Sequence, residues 1–333
     1  MTRVRRLAGL LGAVFAMLGL WAFFLIPTLM GARDEAVLAD VTEYRVLILG
    51  KDDAADLTDV MMLASFDLET PSLSVMQIPR DTYLAYTSAD YKKINGAVRS
   101  LGGERALCDF LGKAMGVSID GYVSFDLDFV EDVVDMLGGV EVDVPFDMEY
   151  DDPYQDLSIH LKKGTQTLSG KEAAHFIRYR SGYLRGDLGR IDAQKLFVAS
   201  FLRAFLEKGD AGDLPRAAML VAKYLRTDMR VDTLVALTGI VKRVSPADVT
   251  LLTLPGEEVQ SQYSGAWYYV LSQSGMREVM ERFLGADGSV FDSQRQFVDQ
   301  KRSSFREIYE KNIPPEAYTA EELLGGGLQI ENQ

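Results

Sequence analysis

The chain has 333 residues, 47% of them hydrophobic, with a formal net charge of −14 and one cysteine. That length and apolar content suffice for one large domain or two modest ones, and an acidic chain argues against a nucleic acid partner, because a polyanion would be repelled. Cys108 alone excludes an internal disulfide. His160 and His175, the two histidines, have no Cys or His neighbour at metal-ligand spacing, so neither a zinc site nor a histidine-based triad is expected.

From Leu7 to Met30 the sequence is uncharged and almost wholly apolar, and Arg3, Arg5 and Arg6 precede it. Such a run is long enough to span a bilayer as a helix, and the arginines favour the inner side. Residues 1–6 are therefore expected in the cytoplasm, 7–30 as an uncleaved signal-anchor, and the rest outside the cytoplasm, at the cell membrane. A cleaved signal peptide is the competing reading, with a shorter apolar core as the usual form.

After a linker over 31–43, Tyr44 to Leu49 reads as a buried strand ending at Gly50 and running into the acidic loop Lys51-Asp52-Asp53. Val60 to Phe66 and Leu73 to Ile78 read as two more strands, divided by a turn around Pro71. Arg80 then stands at the carboxyl end of a strand, the edge where open α/β sheets place ligands. Lys93-Ile94-Asn95-Gly96 precedes a helix over 103–115, in which Cys108 is expected to be buried. Tyr122 to Leu127 follows as a strand and Phe129 to Leu137 as a helix stopped by Gly138-Gly139. Val140 to Pro145 alternates apolar and acidic residues, as a strand with one wet face does, and Leu157 to Leu161 is a candidate partner for it. Beyond Gln194, helix is expected to about Lys208, in 215–226 and in 231–244, with a strand over 249–254. The chain from about 285 is polar and reads as a loosely attached tail over 286–333.

The stretch Ser169 to Gln194, SGKEAAHFIRYRSGYLRGDLGRIDAQ, concentrates the polar chemistry. Ser169 and Glu172 form a capping pattern for a short helical turn over 171–175. Phe176 to Arg180 then reads as an extended run, which puts Arg178 and Arg180 on one face. Asp187 opens a second helix in which Asp187, Arg190 and Gln194 stack on one side. Leu188, Ile191, Val198, Leu202 and Phe205 form an apolar stripe on the other. Converging guanidinium forks suit phosphate oxygens; a surface salt-bridge network is the alternative. Asp52 and Asp59 flank the loop between the first two strands, as magnesium ligands do and as ordinary turn residues also do.

In order, Gly50-x-Asp52, Thr58-Asp59-Val60, Ile78-Pro79-Arg80-Asp81-Thr82, Lys93-Ile94-Asn95, Gly138-Gly139-Val140, Leu168-x-Gly170, Arg178-x-Arg180 and Asp187-x-x-Arg190-x-x-x-Gln194 resemble the LytR–CpsA–Psr family of bacterial envelope proteins. The resemblance covers roughly 44–205 in motif detail and extends to about 285, delimiting an extracytoplasmic catalytic domain over 44–285. It implies an α/β fold, a central mixed β-sheet flanked by helices, with an apolar groove for a lipid tail and the N-terminal transmembrane helix ahead of it. It implies a phosphotransferase that moves a glycopolymer from a polyprenyl diphosphate carrier onto peptidoglycan. Carried over by motif, Arg80, Lys93, Arg178, Arg180, Arg190 and Gln194 would hold the diphosphate. Asp52 and Asp59 would hold Mg2+ or Mn2+, and Asp187 would orient an arginine or assist proton transfer, with Arg80, Asp187 and Arg190 nearest the chemistry. The sequence departs from the family pattern at Leu57 and Ala193, where arginines are usual. A hydrolase of the same lipid diphosphate glycan, or a membrane-anchored protein that binds it without turnover, fits the same residues.

Overall fold

The structure is a computed structural model that describes residues 38, 41–52, 57–85, 92–152, 157–208, 219–220, 223–298 and 302–333. The expected anchor over 7–30 lies outside them; among the described residues no helix is long and apolar enough to cross a membrane.

Strands β1 (Glu43–Asp52), β2 (Leu57–Asp67) and β3 (Ser72–Gln77) form an antiparallel meander. It is extended on one side by β4 (Gly121–Phe125) and β9 (Arg226–Thr227), and on the other by β10 (Val249–Thr253) and β13 (Ala317–Thr319). The described residues thus give a seven-stranded sheet in the order β13-β10-β3-β2-β1-β4-β9, parallel at β1/β4 and β3/β10 and antiparallel elsewhere. Period-two alternation divides its side chains between two cores. Val46, Ile48, Val60, Met62 and Phe66 face one way, and Leu47, Leu49, Met61 and Leu63 the other. A sheet apolar on both faces needs a layer on each.

One layer holds α1 (Ala97–Leu101) and α2 (Glu104–Met115) with α7 (Gln273–Phe283), α8 (Ser303–Glu310) and the hairpin of β11 (Gly256–Gln260) and β12 (Trp267–Leu271). The other holds α3 (Leu127–Met136), α4 (Gly170–Arg178), α5 (Asp187–Lys208), α6 (Val231–Val241) and α9 (Ala320–Leu324). Two small two-stranded sheets, β5 (Val140–Val144) with β8 (Gly164–Leu168) and β6 (Met148–Asp152) with β7 (Leu157–Leu161), extend the first core, that of Val46 and Ile48. The α/β class, with a central mixed sheet flanked by helices, is as the sequence implies. Cys108 is buried, which raises its thiol pKa to about 12.

Four expectations are corrected. Leu157 to Leu161 pairs with β6 rather than with Val140 to Val144; the shorter chain segment to close favours the nearer partner. Phe176 to Arg180 is not extended, because α4 runs on to Arg178. The Ser169/Glu172 capping box starts a helix whose Ala173, Ala174, Phe176 and Ile177 fill a buried face at helical spacing. α5 is not one-sided: Asp192, Lys195 and Gln194 are as buried as Ile191 and Phe197, because the helix is enclosed by α4, α9 and β5. Residues 286–333 are not a loose tail. β13 closes a sheet edge against β10, Phe291, Phe297, Phe305 and Tyr309 fill the second core, and Ala320 and Leu323 pack in the first. The last residues pair with the loop before α5, Leu184 N donating to Glu331 O at 3.0 Å and Gln333 N to Gly182 O at 2.8 Å.

Removing residues 286–333 would uncover β10's edge and a large apolar area. Such a chain is expected to lose its cooperative melting transition and to bind a hydrophobic dye; a melting curve like that of the intact chain would contradict the assignment.

Candidate functional site

Three chain segments converge at the carboxyl end of β3. The first is the Pro79-Arg80-Asp81-Thr82 turn, held by its backbone from three sides. Asn95 N donates to Arg80 O at 3.1 Å, Ile94 N to Thr82 O at 2.9 Å and Tyr269 N, from β12, to Asp81 O at 2.9 Å. The second is the start of β2. Gly50 pairs with Val60 and Lys51 with Thr58, so Asp59 is the extra residue of a β-bulge, outside the ladder. Its carboxylate receives Arg80 Nη1 at 3.0 Å. The third is the start of α5, where Arg190 Nη2 meets Asp187 Oδ2 at 2.6 Å. Gly186 precedes this helix with φ +58°, a conformation costly for any residue with a Cβ. Gly189 lets the Tyr183 ring lie against the helix, where an added Cβ would sit 2.8 Å from Tyr183 Cβ.

Arg190 is only 2% exposed, and two of its nitrogens, Nε and Nη1, are buried without a hydrogen-bond partner among the described residues. Leaving such donors unpaired is costly, so a buried guanidinium with two open donors is poised for an acceptor that comes from outside. Its pKa is pulled down by burial and by Arg80, with Asp187 and Asp59 opposing. Burial works against the charge of Arg80 as well, but Asp187, Asp59 and Asp81 outweigh it and hold the proton more firmly than usual. For Asp187, burial raises the carboxyl, and Arg190, Arg80 and Arg180 overcome it, leaving the pKa below the ordinary 3.8.

Arg180 joins this group from the loop after α4. Packing around its guanidinium, then the charges of Arg190 and Arg80, draw its pKa down to about 10. Solvent on its exposed side blunts that effect, but the direction marks mutual repulsion among cations that an anion would relieve. The site therefore gathers three guanidinium groups around two carboxylates in a protein of net charge −14.

Gln194 lies one turn beyond Arg190, accepts from Gln77 Nε2 at 2.6 Å and donates to Ile177 O at 3.4 Å, which ties α5 to β3 and to α4. Lys93 pairs with Asp81 at 2.9 Å at the edge of the turn. Arg178 ends α4 beside Glu131 of α3 and His175: burial raises the Glu131 pKa with Arg178 opposing, and burial, then Lys171 and Arg178, draw that of His175 down to about 4. Asp52 ends β1 opposite Leu57, and its side chain lies outside the described part. Among the described residues no group of three or more His, Cys, Asp or Glu side chains is arranged to hold a metal ion.

Two residues of this region escaped the sequence reading. Gln77 is a polar residue at the end of an apolar strand, a signal that was available. Glu258 on β11, whose carboxyl feels Asp187, Asp81, Lys93 and Arg190, sits in a polar hairpin with nothing in the sequence to single it out.

Replacing Asp187 by Ala leaves Arg190 buried with its partner gone, a change of the order of 3–5 kcal/mol. A large fall in melting temperature is expected, partly restored by inorganic pyrophosphate. The Asp187 contribution is full above its ordinary value of 3.8 and is lost as pH falls through the depressed folded value, so Asp187→Asn should melt less acid-dependently below about pH 4. An unchanged melt in Asp187→Ala would show the pair to be dispensable.

A family model described as the LytR_cpsA_psr family matches residues 32–283. The chain is 27% identical over 256 residues to the polyisoprenyl-teichoic acid–peptidoglycan teichoic acid transferase TagV of Bacillus subtilis, covering 74% of this chain and 65% of that protein. It is 27% identical to the regulatory protein MsrR of Staphylococcus aureus, over 73% of this chain and 74% of MsrR. The crystal structure of B. subtilis TagV superposes with a TM-score of 0.61 at 26% identity, over 72% of this chain and 95% of that one.

Proposed function

The chain belongs to the LytR_cpsA_psr family, and from that premise we propose that it transfers a glycopolymer from a polyprenyl diphosphate carrier to peptidoglycan by phosphoryl transfer. The observation that carries this reading is the buried Arg190 with its Nε and Nη1 unpartnered among the described residues, flanked by Arg80 and Arg180. A diphosphate supplies the acceptor oxygens that such a cluster lacks.

In this reading Arg190, Arg180 and Arg80 hold the diphosphate and stabilise the charge that builds on its oxygens and on the departing polyprenyl phosphate. Asp187 fixes the Arg190 fork, and Gln194, braced by Gln77, sets the helix against the strand end. Lys93, with Asp81, and Arg178 belong to the clamp on the family motif. The oxygen donors of Asp59, at the bulge, and Asp52, at the end of the adjoining strand, are of the chemistry that a hard cation takes, one or two carboxylates with the rest from water and phosphate. Mg2+ or Mn2+ held there would add a further positive charge next to the phosphate oxygens. No protein nucleophile is required. Residues 7–30 would keep the domain at the outer face of the cell membrane, with the N-terminus in the cytoplasm, where the lipid carrier and peptidoglycan meet.

Turnover of a polyprenyl diphosphate glycan, with products identified by mass with and without peptidoglycan, separates transfer from hydrolysis and both from binding alone. Arg180→Ala is expected to lower kcat by about a hundredfold, as loss of one preorganised donor does, and Arg180→Lys to recover only part, since the charge stays and the fork goes. Full activity in Arg180→Ala with an unchanged melt would overturn the clamp. Mg2+ is expected to stimulate the intact chain and not the Asp52→Ala, Asp59→Ala double variant; equal metal affinity in both by calorimetry would place the ion elsewhere.

A further inference from the structure

The β11–β12 hairpin is joined to the site by its backbone and presents two different faces. Directly opposed residues of an antiparallel pair share a face, so Glu257, Val259, Tyr268 and Val270 lie on one side. There Tyr268 packs edge-on against Tyr83 and Phe305, and Glu257 is paired with Lys311. The other side carries Glu258, opposite Tyr269, and Gln260, opposite Trp267. Tyr269 is buried, its hydroxyl donating to Leu254 O at 2.8 Å. Glu258 and Gln260 are exposed, Gln260 Nε2 donating to Gly265 O at 3.0 Å and leaving its Oε1, and Trp267 is 54% exposed, with Tyr263 at the tip 81% exposed. The tip is a formed turn, Gly265 N donating to Ser261 O and Ser261 N to Ala266 O, both at 2.8 Å.

This open face continues the site. Tyr269 N is bonded to Asp81 O, Tyr83 N donates to Tyr269 O at 2.8 Å, and the Glu258 carboxylate feels the charges of Asp187, Asp81, Lys93 and Arg190. A flat indole beside an amide and a carboxylate is the chemistry that recognises a neutral pyranose, the ring stacking on its C–H face and the polar groups meeting its hydroxyls. Glu258 and Gln260 are two positions apart on one strand, roughly 6.6 Å, a spacing on the order of one sugar unit. An uncharged polyol is also a partner that an acidic surface does not repel.

We propose that the face of the β11–β12 hairpin bearing Glu258, Gln260 and Trp267 is the acceptor subsite, which seats a β-1,4-linked amino-sugar strand, with Glu258 as the base for its attacking hydroxyl. The proposal rests on the transferase reading above for the amino-sugar identity of the strand and the role of Glu258, and on the hairpin alone for the binding of a pyranose. In the step, the hydroxyl oxygen forms a bond to the phosphorus that bears the glycopolymer. The bond from that phosphorus to the polyprenyl phosphate oxygen breaks and its electron pair leaves with the polyprenyl phosphate. The hydroxyl proton passes to the Glu258 carboxylate and from there to solvent. Glu258 is exposed on the hairpin face, yet packing on its inner side, then Asp187 and Asp81, raise its pKa above the ordinary glutamate value, with Lys93 and Arg190 opposing; solvent blunts the shift, and its direction favours proton acceptance.

The chain has two tryptophans, Trp21 and Trp267, so in the full-length Trp21→Phe variant the fluorescence reports the hairpin alone. Titration with muramidase-released peptidoglycan fragments should give a saturable change that maltotetraose does not, weakened at least tenfold by Gln260→Ala. No change at millimolar fragment, or an equal one with maltotetraose, overturns the sugar platform whether or not the protein is a transferase. In turnover, Trp267→Ala and Gln260→Ala, checked by melting temperature, should raise the acceptor KM about tenfold and leave the donor KM unchanged. Glu258→Gln should lower kcat for transfer by about a hundredfold at unchanged KM for both substrates. Wild-type kcat in Glu258→Gln overturns the base. Absence of any donor turnover in the unmodified protein, with fragment binding intact, overturns the transferase reading and the base, and leaves the platform standing.

Discussion

The ion pair between Arg190 and Asp187 is the constraint on which the site depends. A guanidinium that is almost wholly buried cannot shed its charge easily and pays a large desolvation cost. Here one carboxylate at 2.6 Å offsets part of that cost, and two nitrogens remain open among the described residues. Stability alone would favour an apolar side chain at this position, so the arrangement makes sense as a site kept ready for an anion. Each neighbour follows from it: Gly186 admits the turn that starts the helix there, Gly189 lets Tyr183 close one side, and Arg80 and Arg180 add charge that burial alone would discourage.

The sheet makes this possible by being rigid. Apolar side chains alternate to two cores along β1 and β2, so the central strands are covered on both faces and their ends are fixed. At one such end the β-bulge frees Asp59 from the ladder, and the turn after β3 is held by bonds from Asn95, Ile94 and Tyr269. Segments far apart in sequence therefore deliver single side chains to one place with little freedom to lose on binding. The C-terminal residues belong to the same scheme, since β13 finishes the sheet edge and the last residues pair with the loop that leads into α5.

Much of this was legible in the sequence, and the rest failed for identifiable reasons. The meander, the α3 helix with its Gly138-Gly139 stop and the Asp187, Arg190, Gln194 face follow from local periodicity and capping. The length of α4 was misjudged because Phe176 to Arg180 alternates in polarity as well as lying at helical spacing, and the capping box decides for the helix. The pairing of β7 depends on which partner is cheaper to reach, which no local pattern records. The tail was misread because Phe291, Phe297, Phe305 and Tyr309 are spread among polar residues, without a period, yet all reach the core. Glu258 and the partnership of Gln77 with Gln194 exist only in three dimensions. The side chain of Asp52 lies outside the described residues, so its part in the site rests on the family motif.

The most direct test is a crystal structure of the full chain with a polyprenyl diphosphate glycan bound. Diphosphate oxygens within about 3 Å of Arg190 Nε and Nη1, with Arg180 on the same group, is the predicted result. A donor lodged elsewhere, with those two nitrogens bonded only to ordered water, would contradict the account.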